Sequence, residues 1–240
     1  PGCPRRPISW WLPITGMPRL RDYIWHSKQV HAIQGRKICL GRLPAGSART
    51  NGFEWGGQGS MVRLKKTVVL VGMMGAGKTA VGTAVARVLG VPFQDSDEEI
   101  VRAADRSIPE IFERDGEPFF RARETEVLAR LLRGTPCLLS TGGGAFLSET
   151  NRALIRDAGV SVWLRADLDL LWQRVRHKAT RPLLRTANPR ETLRALYETR
   201  LPFYQLADLA VDSSGDLSVE DMAHRVVDAL ATRADVLERT

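Results

Sequence analysis

Thr67-Val68-Val69-Leu70-Val71-Gly72-Met73-Met74-Gly75-Ala76-Gly77-Lys78-Thr79 reads as a strand, a glycine loop and the start of a helix in succession. Its first five residues are short, apolar and mostly β-branched, the pattern of a strand buried on both faces. Residues 72–77 carry three glycines, and from Lys78 to Leu89 the apolar residues Val81, Val85, Val88 and Leu89 follow a helical spacing. Strand, glycine loop and helix together form the context in which G-x-x-x-x-G-K-[ST] binds phosphate. The glycines let the backbone curl until several N–H groups face one oxyanion, and the helix aims its positive end at the same place. Lys78 would set a mobile charge on the β- and γ-phosphates, and the Thr79 hydroxyl would ligate Mg²⁺. Gly75, Ala76, Gly77 and Ala80 complete the expected nucleotide cradle. A chance glycine-rich turn would not need the flanking strand and helix.

Outward from this stretch the pattern repeats. Val91–Phe93 is a second strand candidate ending at Asp95-Ser96-Asp97, and Gly116-Glu117-Pro118 opens a helix that runs to about Arg133. Pro136–Ser140 is a third strand, followed by Gly142-Gly143-Gly144. A helix over Ser148–Ala158, a strand over Val160–Leu164 and a helix over Leu168–Val175 come next. Residues 176–190 are polar and basic, hence a loop, and Asn188-Pro189 suits the cap and first position of another helix. A short strand at Ala210–Val211 and a helix over Val219–Ala231 close the chain. Short apolar strands alternating with helices predict an α/β fold with a parallel sheet covered on both faces. Ligands of such sheets bind beyond the carboxyl ends of the strands, where both glycine loops and Asp95–Asp97 fall.

The formal net charge of +8 is unevenly placed. Residues 1–60 hold 9 of the 35 Lys+Arg but only 2 of the 27 Asp+Glu, so they carry +7 of it. The remainder is nearly neutral, which argues against a folded nucleic-acid-binding surface. Residues 1–60 also contain four of the six tryptophans, are punctuated by Pro and Gly, and sustain no period of 2 or 3.6. They read as a basic extension, disordered or arising from a misplaced start, ahead of a domain over 61–240. Cys3, Cys39 and Cys137 are odd in number and fit no metal spacing, so a reducing, cytoplasmic setting is the expectation. No apolar run reaches the roughly 18 residues of a membrane-spanning helix.

Several groups can carry chemistry. Asp95 and Asp97, two apart at a strand end, can divide two tasks: one reaching Mg²⁺ through water, the other orienting a substrate hydroxyl and accepting its proton. Asp-x-Asp also serves commonly as a helix cap. Arg121 and Glu124 are i, i+3 neighbours on a helix and can pair, either in a site or as a solvated surface pair. Arg174, Arg176, Lys178, Arg181 and Arg185 form a basic cluster, which is a solvated face or a lid over phosphates. Three successive glycines after a buried strand suit close approach of a ligand.

These segments together resemble the shikimate kinase family. Gly72–Thr79, Asp95–Asp97, Gly116-Glu117 with Phe120-Arg121 and Glu124, Gly142–Gly144, Arg181-Pro182-Leu183-Leu184, and Arg200 ahead of Tyr204 follow the family's pattern in order over about 150 residues. The resemblance implies a three-layer P-loop kinase fold, a five-stranded parallel sheet in the order 2-3-1-4-5, and a mobile lid over about 176–190. It implies an ATP- and Mg²⁺-dependent enzyme that phosphorylates the 3-hydroxyl of shikimate, giving the 3-phosphate used in chorismate and aromatic amino acid biosynthesis. By the same resemblance Lys78, Asp97 and Arg181 are catalytic, and Arg174 and Arg181 meet the nucleotide. Thr79 and Asp95 hold the metal. Asp97, Arg121, Glu124, Gly142, Gly143, Gly144 and Arg200 bind the substrate, Arg121 and Arg200 gripping its carboxylate. The expected state is a monomer with no nucleic-acid or membrane partner. Two departures stand out: Ala80 replaces a second hydroxyl residue, and Asp212–Asp216 does not align with the family's adenine contacts. A gluconate-type kinase is the alternative enzyme, and a nucleotide-binding regulator without activity is the alternative class.

Overall fold

The computed structural model describes residues 62–176 and 186–239. The expected extension over 1–60 and lid residues 177–185, Arg181 among them, lie outside the described residues.

Five strands form one parallel sheet: β2 (Thr67–Val71), β3 (Phe93–Asp95), β4 (Leu138–Ser140), β5 (Gly159–Ala166) and β6 (Leu209–Ser213). They lie in the order β3-β4-β2-β5-β6. Counted among themselves in chain order this is 2-3-1-4-5, as the resemblance implied. A separate antiparallel pair joins β1 (Val62–Leu64) to β7 (Leu237–Arg239), an element with no signal in the sequence pattern. β2 is central, flanked by β4 at Leu70↔Ser140 and by β5 at Leu70↔Val162, and all five of its residues are buried.

The chain steps one way from β2 to β3 and the other way at every later crossover. Right-handed crossovers therefore put α1 (Lys78–Leu89) on one face. They put α2 (Ser96–Ala104), α3 (Ile108–Leu132), α4 (Glu149–Ala158), α5 (Leu168–Val175) and α6 (Pro189–Tyr204) on the other. The closing helix α7 (Val219–Ala231) packs beside α1, and α3 packs on α4. The layers are helix, sheet, helix.

Three local features differ from the sequence reading. The second strand begins at Phe93 rather than Val91 and ends at Asp95, whose side chain accepts from the Asp97 N–H and caps α2. Helix α3 starts at Ile108, not at Gly116, behind a capping box made by Ser107 and Glu110. Gly116 breaks it at φ 80°, ψ 170°, a conformation open to glycine alone, and the helix resumes with Pro118 in its new first turn. Asn188 precedes α6 as expected but makes no side-chain cap.

Gly82 shows how closely α1 seats on the sheet. A Cβ there would lie 2.7 Å from Phe93 Cε2 and 2.9 Å from Leu70 Cδ1. In an exposed helix, Gly→Ala gains about 0.8–1 kcal/mol. At Gly82 overpacking, typically about 1–3 kcal/mol, opposes that gain against a fully buried leucine. Gly82→Ala is therefore expected to lower the free energy of unfolding in urea, and a stabilised variant would show that α1 can lift without cost.

Candidate active site

The phosphate loop follows from the end of β2. Gly72, Gly75 and Gly77 all have positive φ, and at Gly75 and Gly77 (φ 85° and 96°) the alternation folds the backbone over the start of α1. Gly77 caps α1 without a side chain, and the first turn contains no acid. The orphan N–H groups there thus face no competing anion from their own turn. Lys78 folds back along the loop, its Nζ donating to the Gly72 and Met73 carbonyls at 2.9 and 3.0 Å. Ala80 is exposed one residue beyond Thr79. On the outer side of the loop Arg174 donates to the Gly75 and Ala76 carbonyls at 3.4 Å and to Ser213 Oγ at 3.2 Å. Burial pushes its pKa below the ordinary value.

Thr79 and Asp95, 16 residues apart, meet where β2 and β3 end. The Thr79 hydroxyl donates to Asp95 Oδ2 at 3.1 Å and lies 3.5 Å from Ser140 Oγ at the end of β4. One Asp95 oxygen thus caps α2, the structural role its motif also allowed, while the other accepts from Thr79. Ser140 went unassigned in the sequence, since only the register Leu70↔Ser140 places it beside the loop.

The glycine turn after β4 brings the remaining charges together. A Cβ on Gly142 would stand 2.8 Å from Asp97 Oδ1 and 3.3 Å from Glu124 Oε1. One on Gly143 would be 3.4 Å from Arg200 Nη1, and one on Gly144 2.6 Å from Arg121 Nη1. Gly142 thus faces two carboxylates, from α2 and α3, while Gly143 and Gly144 each face one guanidinium, from α6 and α3. The turn is fixed from behind by α4: Asn151 Nδ2 donates to the Ala145 carbonyl at 2.9 Å, and Arg152 Nη1 to those of Phe146 and Leu147 at 2.8 Å.

Arg121 has two carboxylate partners. Nη1 donates to Glu124 Oε2 at 2.9 Å and Nη2 to Glu117 Oε1 at 3.0 Å. Glu117 was missed, although its i, i+4 spacing from Arg121 was the available signal. The pair with Glu124 is not the solvated kind: the Glu124 side chain is 2% exposed and the Arg121 side chain 35%. Burial pushes the Glu124 pKa up, Arg121 opposes this, and Asp97 and Glu117 add to it. For Arg121 burial works against the charge, but Glu124 and Glu117 outweigh it and its pKa rises. The two ends of one ion pair differ because only the carboxylate is fully desolvated. Of the expected site residues, all but Arg181 fall within the described chain and line the carboxyl ends of β2, β3 and β4 or face them from α3, α5 and α6.

A parallel sheet in this order, with a glycine loop leading into α1 and a charged recess beside it, defines a P-loop kinase fold. A family profile described as shikimate kinase matches residues 74–231. Shikimate kinase of Cereibacter sphaeroides is 72% identical over 190 residues, 79% of this chain and 95% of that protein. That of Ruegeria pomeroyi is 69% identical over 180 residues, 75% of this chain and 92% of the other. Among solved structures, shikimate kinase from Acinetobacter baumannii in complex with shikimate aligns with TM-score 0.66 and 39% identity, over 70% of this chain and 93% of that one. The chain belongs to the shikimate kinase family.

The raised pKa of Glu124 has a measurable sign. The folded chain holds this proton above the ordinary value of 4.5, where the unfolded chain has released it. The contribution is full below 4.5 and is lost as pH rises through the folded pKa. Relative to Glu124→Gln, the wild type should therefore lose unfolding free energy as pH rises from about 4 toward neutrality. The opposite slope in urea titrations would mean that attraction to Arg121 exceeds the cost of burial.

Proposed function

We propose that the chain transfers the γ-phosphoryl group of ATP to the 3-hydroxyl of shikimate. The observation that carries this reading is the convergence of Arg121, Arg200, Asp97 and Glu124 on a turn without side chains. Two guanidiniums suit a single carboxylate, which each can meet with paired hydrogen bonds. Asp97, with its carboxylate against Gly142, is the group for the acceptor hydroxyl. Gly142–Gly144 admit a ring close to the backbone. Glu124 and Glu117 hold the fork of Arg121 in place.

Thr79, Asp95 and Ser140 present clustered oxygen atoms, the donors a hard cation takes, and Mg²⁺ characteristically uses one or two carboxylates beside substrate phosphates. Mg²⁺ bound through Thr79 and Asp95 would neutralise charge on the phosphate oxygens. Lys78 and the N–H groups of residues 75–80 cradle the β- and γ-phosphates, Arg174 stands behind them, and Arg181 is assigned there by the family's pattern alone. In the reaction the 3-oxygen bonds to the γ-phosphorus while the bond to the β,γ-bridging oxygen breaks. ADP leaves with that electron pair, and the hydroxyl proton passes to Asp97. The residues' task is mostly positioning and charge stabilisation.

The reading extends to a monomer acting in the cytoplasm, with residues 1–60 outside the catalytic domain. Cys137 is buried, and burial pushes its pKa up, consistent with an inert thiol. Among the described residues no helix is long and apolar enough to cross a membrane.

The test is ATP consumption with shikimate, with gluconate and with no acceptor. Turnover should depend on shikimate; stimulation by gluconate alone would overturn the acceptor assignment. Asp97→Asn should abolish most turnover while changing ATP binding by less than about threefold. Arg121→Lys keeps the charge but loses the fork, and is expected to lower kcat/KM for shikimate by roughly tenfold or more. Wild type should discriminate against shikimate methyl ester, and Arg121→Lys less so. Equal kcat/KM for acid and ester in the wild type would remove the carboxylate clamp.

A further inference from the structure

Arg200 and the glycine turn share a partner to which no role has been given, the hydroxyl of Tyr204 in the last turn of α6. The Tyr204 ring is 1% exposed and stacks on Trp163, with centroids 6.2 Å and planes 24° apart. Its hydroxyl donates to the Gly143 carbonyl at 2.5 Å and lies 3.9 Å from the Met73 sulfur in the phosphate loop. Arg200, one helical turn earlier at i, i+4, brings its guanidinium to the same glycine, where a Cβ on Gly143 would lie 3.4 Å from Nη1, and the phenol feels its charge.

A phenol has one proton to give and two lone pairs to offer. With the proton committed to the Gly143 carbonyl, the lone pairs remain to accept from a guanidinium. Burial pushes the Tyr204 pKa up, against the opposing charge of Arg200, so the donor is retained. Arg200 is itself buried, so its guanidinium has few other polar partners to turn to. Trp163, beneath the ring, also packs on Gly72, where a Cβ would lie 3.3 Å from its Cδ1. The phenol is thus held by the sheet, the phosphate loop and the glycine turn together.

We propose that Tyr204 is a positioning residue for the acceptor: its hydroxyl, anchored on the Gly143 carbonyl, holds the Arg200 guanidinium in the orientation that meets the substrate carboxylate. This rests on the acceptor reading above and adds the residue that sets one arm of the clamp. Tyr204 touches neither the transferred phosphoryl group nor the acceptor hydroxyl in this scheme. Its loss therefore acts on shikimate binding, not on chemistry or ATP.

The experiment compares wild type, Tyr204→Phe, Arg200→Lys and the double variant, with KM for shikimate, KM for ATP and kcat measured for each. Phenylalanine fills the same volume, and thermal melting checks that the fold persists. Tyr204→Phe should raise KM for shikimate about five- to thirtyfold, the effect of losing one charge-assisted hydrogen bond, with kcat within about threefold and KM for ATP unchanged. In the Arg200→Lys background the same change should add less than about twofold, because the group it positions is gone. Should Tyr204→Phe not fold, p-aminophenylalanine at position 204 keeps the ring and an N–H donor for the Gly143 carbonyl but offers a poor acceptor, and should raise KM for shikimate in the same direction. An active wild type with unchanged KM in Tyr204→Phe, a loss confined to kcat, or an equal penalty in both backgrounds overturns the proposal alone. A wild type inert toward shikimate overturns the acceptor reading and this proposal with it.

Discussion

The absence of side chains at Gly142, Gly143 and Gly144 is the constraint on which the rest of the site depends. Three helices direct charged groups at this turn; at Gly142 and Gly144 one of them crowds the place of a Cβ, and at Gly143 the Arg200 guanidinium lies in contact distance of it. An alanine at Gly144 would put a methyl group 2.6 Å from the Arg121 guanidinium, and one at Gly142 would collide with Asp97. Burying like charges near each other is costly unless opposite charges interleave. Here the acids and bases are grouped along the turn, Asp97 and Glu124 against Gly142, Arg200 against Gly143 and Arg121 against Gly144, and the ion pair between Arg121 and Glu124 joins the two groups. The turn is thus both the floor of the recess and the spacer that sets its charges apart.

The phosphate loop is the second fixed element, and it shares supports with the first. β2 and β4 are adjacent, so their carboxyl ends deliver the phosphate loop and the glycine turn side by side. The Thr79, Asp95 and Ser140 oxygens gather across three neighbouring strands. Thr141 Oγ1 donates to the Leu70 carbonyl at 3.0 Å and ties the two strand ends together just before the turns diverge. The phosphate loop and the glycine turn are therefore positioned together by the carboxyl ends of adjacent strands.

The fold was legible because its signals are local and strong. β2, the phosphate loop, α1, α5 and α7 follow from periodicity and glycine placement within single segments. Helix α2 and the first half of α3 were not legible, because Asp95–Asp97 and Gly116 read as punctuation while the intervening residues lack a sustained apolar face. β1 and β7 are three residues each and pair across almost the whole domain, a partnership that no local pattern encodes. In the site, Arg121 with Glu124 could be paired from spacing alone, but their burial could not. Ser140 and Tyr204 acquire their positions from strand register and helix packing, so sequence order left both without a role. The family's pattern supplied Arg200 and Arg181, which nothing in their immediate surroundings distinguishes from other arginines.

On the proposed reading, shikimate lies with its carboxylate between Arg121 and Arg200 and its 3-hydroxyl on Asp97, facing the phosphate loop. A crystal structure of the protein with shikimate, Mg²⁺ and a non-hydrolysable ATP analogue tests this most directly. The expected result has both guanidiniums on the carboxylate and the 3-oxygen within about 3 Å of an Asp97 oxygen, with its free side toward the γ-phosphorus. A carboxylate bound away from both arginines, or a ring turned so that another hydroxyl meets Asp97, would contradict it.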